Sequence, residues 1–153
     1  MPKRIEDIIR ERGFYITKTK GTSMYPLIKG DCSDVCIVRI DGDIKKYDVV
    51  LYIRESGEYV MHRVLDIKDE GCVCCGDNQW ELEYGVTRDM IIGRLDSWYK
   101  NGERHTVSDK SYLRYVKIWC MSLKLRKLML KTVRLKWKLK EFCYKKYKKV
   151  FKG

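Results

Sequence analysis

Residues 48–75 read DVVLYIRESGEYVMHRVLDIKDEGCVCC. Two β-branched runs, Asp48–Ile53 and Tyr59–Ile67, are separated by a turn signal at Ser56-Gly57. Asp69-Glu70-Gly71 then leads into a third short run, Cys72–Cys75. Apolar runs of this length, punctuated by Gly turns, specify consecutive strands rather than helices. Within the second run, a period of two sets Val60, His62 and Val64 on one face and Tyr59, Met61, Arg63 and Leu65 on the other.

The same reading extends outward in both directions. Upstream, Val35–Ile40 is a β-branched run closed by Asp41-Gly42, and Phe14–Lys18 is extended. Arg4–Arg12 places Ile5, Ile8 and Ile9 on one face of a short helix that Gly13 stops. Gly21–Asp31 holds Pro26 and Gly30 and reads as a loop, because proline has no N–H to give to a ladder. Downstream, Met90–Tyr99 is a longer strand, and Asn101-Gly102 turns it toward Arg104–Val107. Closely spaced strands with one early helix predict a mostly-β fold, a barrel or coiled sheet.

From about Ser111 the period changes. Ile118, Met121, Leu125, Leu128, Leu135, Leu139 and Phe142 follow a three-four spacing, with Thr132 in the one gap. The pattern predicts an amphipathic helix of about thirty residues, uninterrupted by Gly or Pro. A second row, Leu123, Leu130, Trp137 and Tyr144, recurs every seven residues. The expected organisation is a β body over 1–109 and a basic helical tail over 110–153.

Charge divides the chain at the same place. Residues 110–153 hold sixteen Lys and Arg against one acid, Glu141, a net of +15, while residues 1–109 carry −3. That excludes a uniformly basic nucleic-acid-binding domain, and 44% hydrophobic residues exclude a disordered chain. No apolar run is long enough to span a bilayer, and the N-terminus has no apolar region of the secretory type. Seven cysteines, an odd number, then read as reduced thiols in a cytoplasmic protein. Cys72, Cys74 and Cys75 have no second cysteine pair to complete a zinc site and read as small packed side chains. Neither a metal nor a cofactor is expected.

The sharpest local signal is Gly21-Thr22-Ser23-Met24-Tyr25-Pro26 followed by Gly30-Asp31. It resembles the nucleophile box of the signal peptidase I and LexA-like serine peptidases, the S24/S26 type. Four further boxes follow in order. Tyr47-Asp48-Val49-Val50 resembles a Gly-Asp-Val-Val strand, with Tyr where the family has Gly. Met61-His62-Arg63-Val64 resembles the His-Arg-Val box of the endoplasmic-reticulum and archaeal signal peptidases. Gly76-Asp77-Asn78 resembles their Gly-Asp-Asn box, and Ile91-Ile92-Gly93-Arg94 their closing Ile-Gly-Arg strand. The resemblance covers residues 21–94, about half of the chain, and does not reach the basic tail. It implies a coiled β-sheet barrel and a Ser-His-acid endopeptidase, since the other branches carry lysine where His62 stands.

The residues support that chemistry on their own terms. A serine hydroxyl needs a base within hydrogen-bond reach to act as a nucleophile. His62, on a half-buried strand face, favours the neutral imidazole that can accept a proton. Asp77, in a Gly-flanked loop, can accept from the other ring nitrogen and fix the tautomer. Glu83 falls where the His-type family has a second acid and is the alternative partner. Gly21 stands where many signal peptidases have a hydroxyl residue. The Ser23 N–H is therefore the expected oxyanion donor, with Thr22 beside it as a second candidate. Each residue alone also has a plainer role: Ser23 and Asp77 as turn residues, and His62 as a satisfied buried histidine.

The expected activity is cleavage of an extended, leader-like or membrane-associated peptide. The competing class is a catalytically silent binding module of the same fold, whose tail recruits a membrane, a protein or nucleic acid. The family's N-terminal membrane anchor has no counterpart in residues 1–20. The tail interleaves lysines with Trp119, Trp137, Tyr144, Tyr147 and Phe151, which suits a helix lying on an anionic membrane. A protein partner ranks behind the membrane. Nucleic acid ranks third, because no base-reading module accompanies the charge.

Overall fold

The computed structural model describes residues 3–30 and 33–151, with the side chains of Trp137 and of residues 142–151 outside the description. Asp31, the Phe142 and Tyr144 positions of the helical rows, and the aromatic side chains of Tyr147 and Phe151 thus lie outside the described parts. The elements run α1 (Ile5–Arg12), β1 (Phe14–Lys18), β2 (Asp34–Val38), β3 (Val49–Ile53), β4 (Tyr59–Lys68) and β5 (Gly71–Cys75). They continue as β6 (Glu83–Val86), β7 (Ile91–Lys100), β8 (Glu103–Thr106), α2 (Lys110–Cys120) and α3 (Leu123–Phe151).

Among the described residues the strands form one open antiparallel sheet, not a closed barrel, in the order β1-β2-β7-β3-β4-β5-β6, with β8 added to β7. β7 is the spine. Ile91–Arg94 pair with β3, Arg94–Trp98 with β2, and Ser97–Lys100 with β8. Three turns follow the sequence signals directly. Gly13, at φ 81°, caps α1 and donates its N–H to Ile9 O. Asn101 and Gly102, at φ 53° and 84°, close β7 onto β8. Arg54 and Glu58 close the β3–β4 hairpin through the Arg54 N–H bond to Glu58 O, which pairs Val50 with His62 and Tyr52 with Val60.

β3 is buried along both faces and divides two apolar clusters. Val49 and Leu51 join Ile9, Met24, Ile28, Ile37, Leu95, Trp98 and, from α2, Tyr112 and Val116. Val50 and Tyr52 join Val60, Val64, Cys74, Val86 and Ile91. Alternation along β4 therefore sends Val60 and Val64 to one cluster and Met61 to the other, as the period-two pattern requires. The β4–β5 register shifts between Val64 and Asp66, which ends that alternation.

Two elements differ from the sequence reading. β6 was not expected; it is four residues long and contains Gly85, so its own pattern is weak, and pairing with β5 creates it. The single C-terminal helix is instead two. Ser122 interrupts it: its Oγ accepts from Leu125 N–H and its carbonyl accepts from Arg126 N–H, so Ser122 starts α3 as an N-cap. The chain accordingly divides into two units, 1–121 and 122–153, and α2 belongs to the first rather than to a tail beginning at residue 110.

Gly93 on β7 shows how tightly α1 and β2 approach the sheet. A Cβ there would lie 2.6 Å from Ile37 Cγ2, 2.9 Å from Val38 O and 3.3 Å from Ile9 Cδ1. Because Val38 O is ladder backbone, it cannot swing aside. Gly93→Ala should cost about 1–3 kcal/mol through overpacking. Urea denaturation checks this as a lowered midpoint at unchanged slope.

Candidate functional site

Ser23, His62 and the residues around them line one cleft of about 500 Å³. Its floor is apolar, with Met24, Ile28, Val35, Ile37, Leu51 and Met61, and residues 17–21 form one rim. Ser23 is half-buried and Thr22 is exposed. The loop that holds Ser23 closes on itself: a Cβ at Gly30 would overlap the carbonyl oxygen of Gly21, so the neck admits only glycine at 30. The turn around Ser23 is tied by Tyr25 N–H to Thr22 O and Ile28 N–H to Met24 O.

His62 comes from β4 and is only 5% exposed. Its Nδ1 lies 3.1 Å from Tyr52 Oη, and Tyr52 Oη donates to Glu83 Oε2 at 2.7 Å. The phenol proton is thus committed to the carboxylate. Tyr52 Oη can then only accept from His62, which places the imidazole proton on Nδ1 and leaves Nε2 as the basic nitrogen. Glu83 Oε2 itself is 3.7 Å from Nδ1. Arg54 grips the same carboxylate through Nε to Oε1 at 2.8 Å and Nη2 to Oε2 at 2.6 Å. These Arg54 hydrogen bonds hold the Glu83 carboxyl below its usual range. Burial lowers the His62 pKa from its ordinary 6.5, and Glu83 opposes that only in part. The imidazole is therefore neutral at neutral pH, as a general base requires.

The two candidate acids separate. Asp77 is fully buried, and both of its oxygens meet Arg63, Oδ1 with Nε at 2.8 Å and Oδ2 with Nη2 at 2.6 Å. Tyr115 Oη adds a bond to Oδ2 at 2.9 Å, and Trp119 Nε1 donates to the Asp77 carbonyl at 2.9 Å. Arg63 Nη1 donates to Tyr47 O and Tyr112 Oη, each at 3.0 Å. Strand alternation explains the split: His62 and its neighbour Arg63 point to opposite faces of β4, so each acquires its own carboxylate. Of the two candidate acids, the structure brings Glu83, through Tyr52, and not Asp77, to His62.

The Gly76-Asp77-Asn78 loop serves Ser23 instead. Asn78 N–H donates to Ser23 O at 2.7 Å. A Cβ at Gly76 would stand 2.7 Å from that same oxygen, so glycine is what lets the loop close on the Ser23 backbone. Tyr47, which replaces the glycine of the Gly-Asp-Val-Val pattern, sits at φ 76°, in the left-handed region that glycine favours.

Tyr52 and Arg54 stand outside the sequence motifs, yet both bear on His62. The signal for Tyr52 was available: the hairpin register pairs it with Val60, diagonal to His62 on the same face. Arg54, in the hairpin loop, had no such signal. Cys74, on β5, is a buried thiol whose pKa burial pushes up to about 12, which disfavours the thiolate a metal would need. No family model matches the chain, and no curated protein matches it.

Asp77→Asn removes the counter-charge and leaves the buried Arg63 cation facing neutral acceptors. It should lower stability by about 3–5 kcal/mol, the range for breaking one side of a buried pair. Trp119→Phe removes one hydrogen bond on the same loop and should cost about 1 kcal/mol. Chemical denaturation of the two variants beside the wild type checks both the sizes and their order.

Proposed function

We propose that this chain is a serine endopeptidase of the signal peptidase and LexA-like kind, acting on an extended peptide. The carrying observation is the hydrogen-bonded series Glu83–Tyr52–His62, which leaves Nε2 basic on a residue lining the same cleft as Ser23. The five ordered motifs add to it, and the coiled-sheet architecture of that family is part of the reading.

Ser23 Oγ attacks the peptide carbonyl carbon while its proton passes to His62 Nε2. The carbonyl oxygen becomes an oxyanion, which the Ser23 N–H receives. Collapse of the tetrahedral adduct breaks the C–N bond, and His62 returns the proton to the leaving amine. Water then hydrolyses the acyl-enzyme with the same base. Glu83, fixed by Arg54, stabilises the imidazolium formed in each half through Tyr52. β1 is an edge strand, and its Thr17 and Lys18 lie on the cleft rim. A substrate added there as a strand gains main-chain hydrogen bonds with little demand on its sequence. The apolar floor receives side chains next to the cut, small ones by the family resemblance.

Mass spectrometry of a cellular peptide mixture treated with the purified full-length protein tests the reading. Cut peptides should appear with wild type and vanish with Ser23→Ala. Equal cutting by both sinks it, and absence of cutting by either leaves the fold as a binding module. Glu83→Gln should lower kcat/KM by about 10²-fold or more.

The pH profile follows from the direction of the His62 shift. The neutral form is active, so the acid limb of kcat/KM should fall below pH 6.5. Glu83→Gln removes the carboxylate that favours protonation of His62, so its acid limb should lie lower still. A limb that moves upward in this variant contradicts the assignment.

A further inference from the structure

α3 presents an unpartnered apolar face whose flanks are basic. Leu125, Leu128, Leu135 and Leu139 are 49%, 62%, 58% and 55% exposed, and Met129 and Val133 are 45% and 47% exposed. At 3.6 residues per turn these six side chains cover an arc of about 160°. Lys124, Lys131 and Lys138, spaced by seven, form one border of the arc, while Lys136 and Lys140 lie within its other half. All five lysines are exposed. Among the described residues of α3 the only acid is Glu141. No described helix is long and apolar enough to cross a membrane.

We infer that α3 is a docking surface for an anionic lipid membrane and lies in the plane of the interface. The face itself selects that occupant. The arc is wider than the seam of a two-helix coiled coil, so a single partner helix would leave Met129 and Val133 in water. A lipid surface covers the whole arc, and Lys136 and Lys140 reach out of it along their aliphatic stems to the headgroups. Nucleic acid would satisfy the lysines but leave the four leucines exposed. A second copy of the chain would bring like charges together. The tail also carries Trp137, Tyr144, Tyr147 and Phe151 in its sequence, residue types that settle at the headgroup level.

The inference does not rest on the peptidase reading, and its test does not use cleavage. The full-length protein is floated with phosphatidylcholine vesicles containing phosphatidylserine, and with pure phosphatidylcholine vesicles. Flotation is expected only with the anionic vesicles. The double variant Leu128→Gln with Leu135→Gln should weaken it by about tenfold or more, because two interfacial side chains are lost. Lys124→Glu with Lys131→Glu should abolish it. Undiminished flotation of the leucine variant means attraction by charge alone and overturns the in-plane helix. Absence of flotation overturns it too, as does binding to duplex DNA or to an acidic protein that the leucine substitutions leave unchanged. Hydrogen exchange of the wild-type chain gives a second reading free of any variant. Amides of 123–141 should gain protection on adding anionic vesicles, and unchanged protection counts against the proposal.

Discussion

Arg63 and Asp77 form an ion pair with no solvent exposure on either side chain, and the site is organised around it. Removing both charges from water is costly, and Coulomb attraction offsets this only when the remaining donors and acceptors are also satisfied. Here Tyr47 O and Tyr112 Oη accept from Arg63, and Tyr115 donates to Asp77. Tyr112 and Tyr115 come from α2, and Tyr47 from the segment before β3. The pair therefore fastens β4, the Asp48 approach to β3, the Gly76–Asn78 loop and α2 to one another. Asn78 is the next residue along that loop, and its N–H holds the Ser23 carbonyl. The Ser23 backbone is thus held by a loop that a buried charge pair anchors without touching Ser23 itself.

Because alternation on β4 sends adjacent side chains to opposite faces, His62 is free of that pair. Its own environment solves a different problem. A buried imidazole loses basicity, and an ionised carboxylate directly beside it would instead drive it to protonate. Tyr52 stands between the two as a neutral relay, so Glu83 orients His62 without dominating its charge. Arg54 completes the balance: it keeps Glu83 ionised and opposes protonation of the imidazole. The outcome is an imidazole that burial keeps neutral and that has a carboxylate within reach, through Tyr52, to favour its protonated form.

Most of the sheet was legible because its signals are local. Gly13, Asn101-Gly102 and the Ser56-Gly57 turn each mark a boundary through backbone conformation, and the β-branched runs between them become β2, β3, β4 and β7. β6 was not legible, since four residues with a glycine carry no period of their own and exist as a strand only by pairing with β5. That gap hid the site's geometry as well. Glu83 is a candidate from its sequence position, but its reach toward His62 depends on where β6 docks. Asp77 is the more conspicuous acid in sequence because its loop is Gly-flanked. Its capture by Arg63 follows from burial, which no linear pattern records. The break at Ser122 was available as a capping signal but was masked by continuous helical periodicity on both sides.

That break changes the meaning of the charge. With α2 counted in the first unit, residues 1–121 hold twenty basic and twenty acidic side chains and are formally neutral. The whole +12 of the protein then belongs to residues 122–153. Ser23, His62, Tyr52, Arg54 and Glu83 thus all belong to a unit whose formal charges cancel, and the cationic excess is written into α3 and the residues that follow it. The Met121–Ser122 boundary separates a stretch of balanced charge from one with a single acid, so the balance among Glu83, Arg54 and burial that sets the His62 imidazole is a matter of the first unit's own residues.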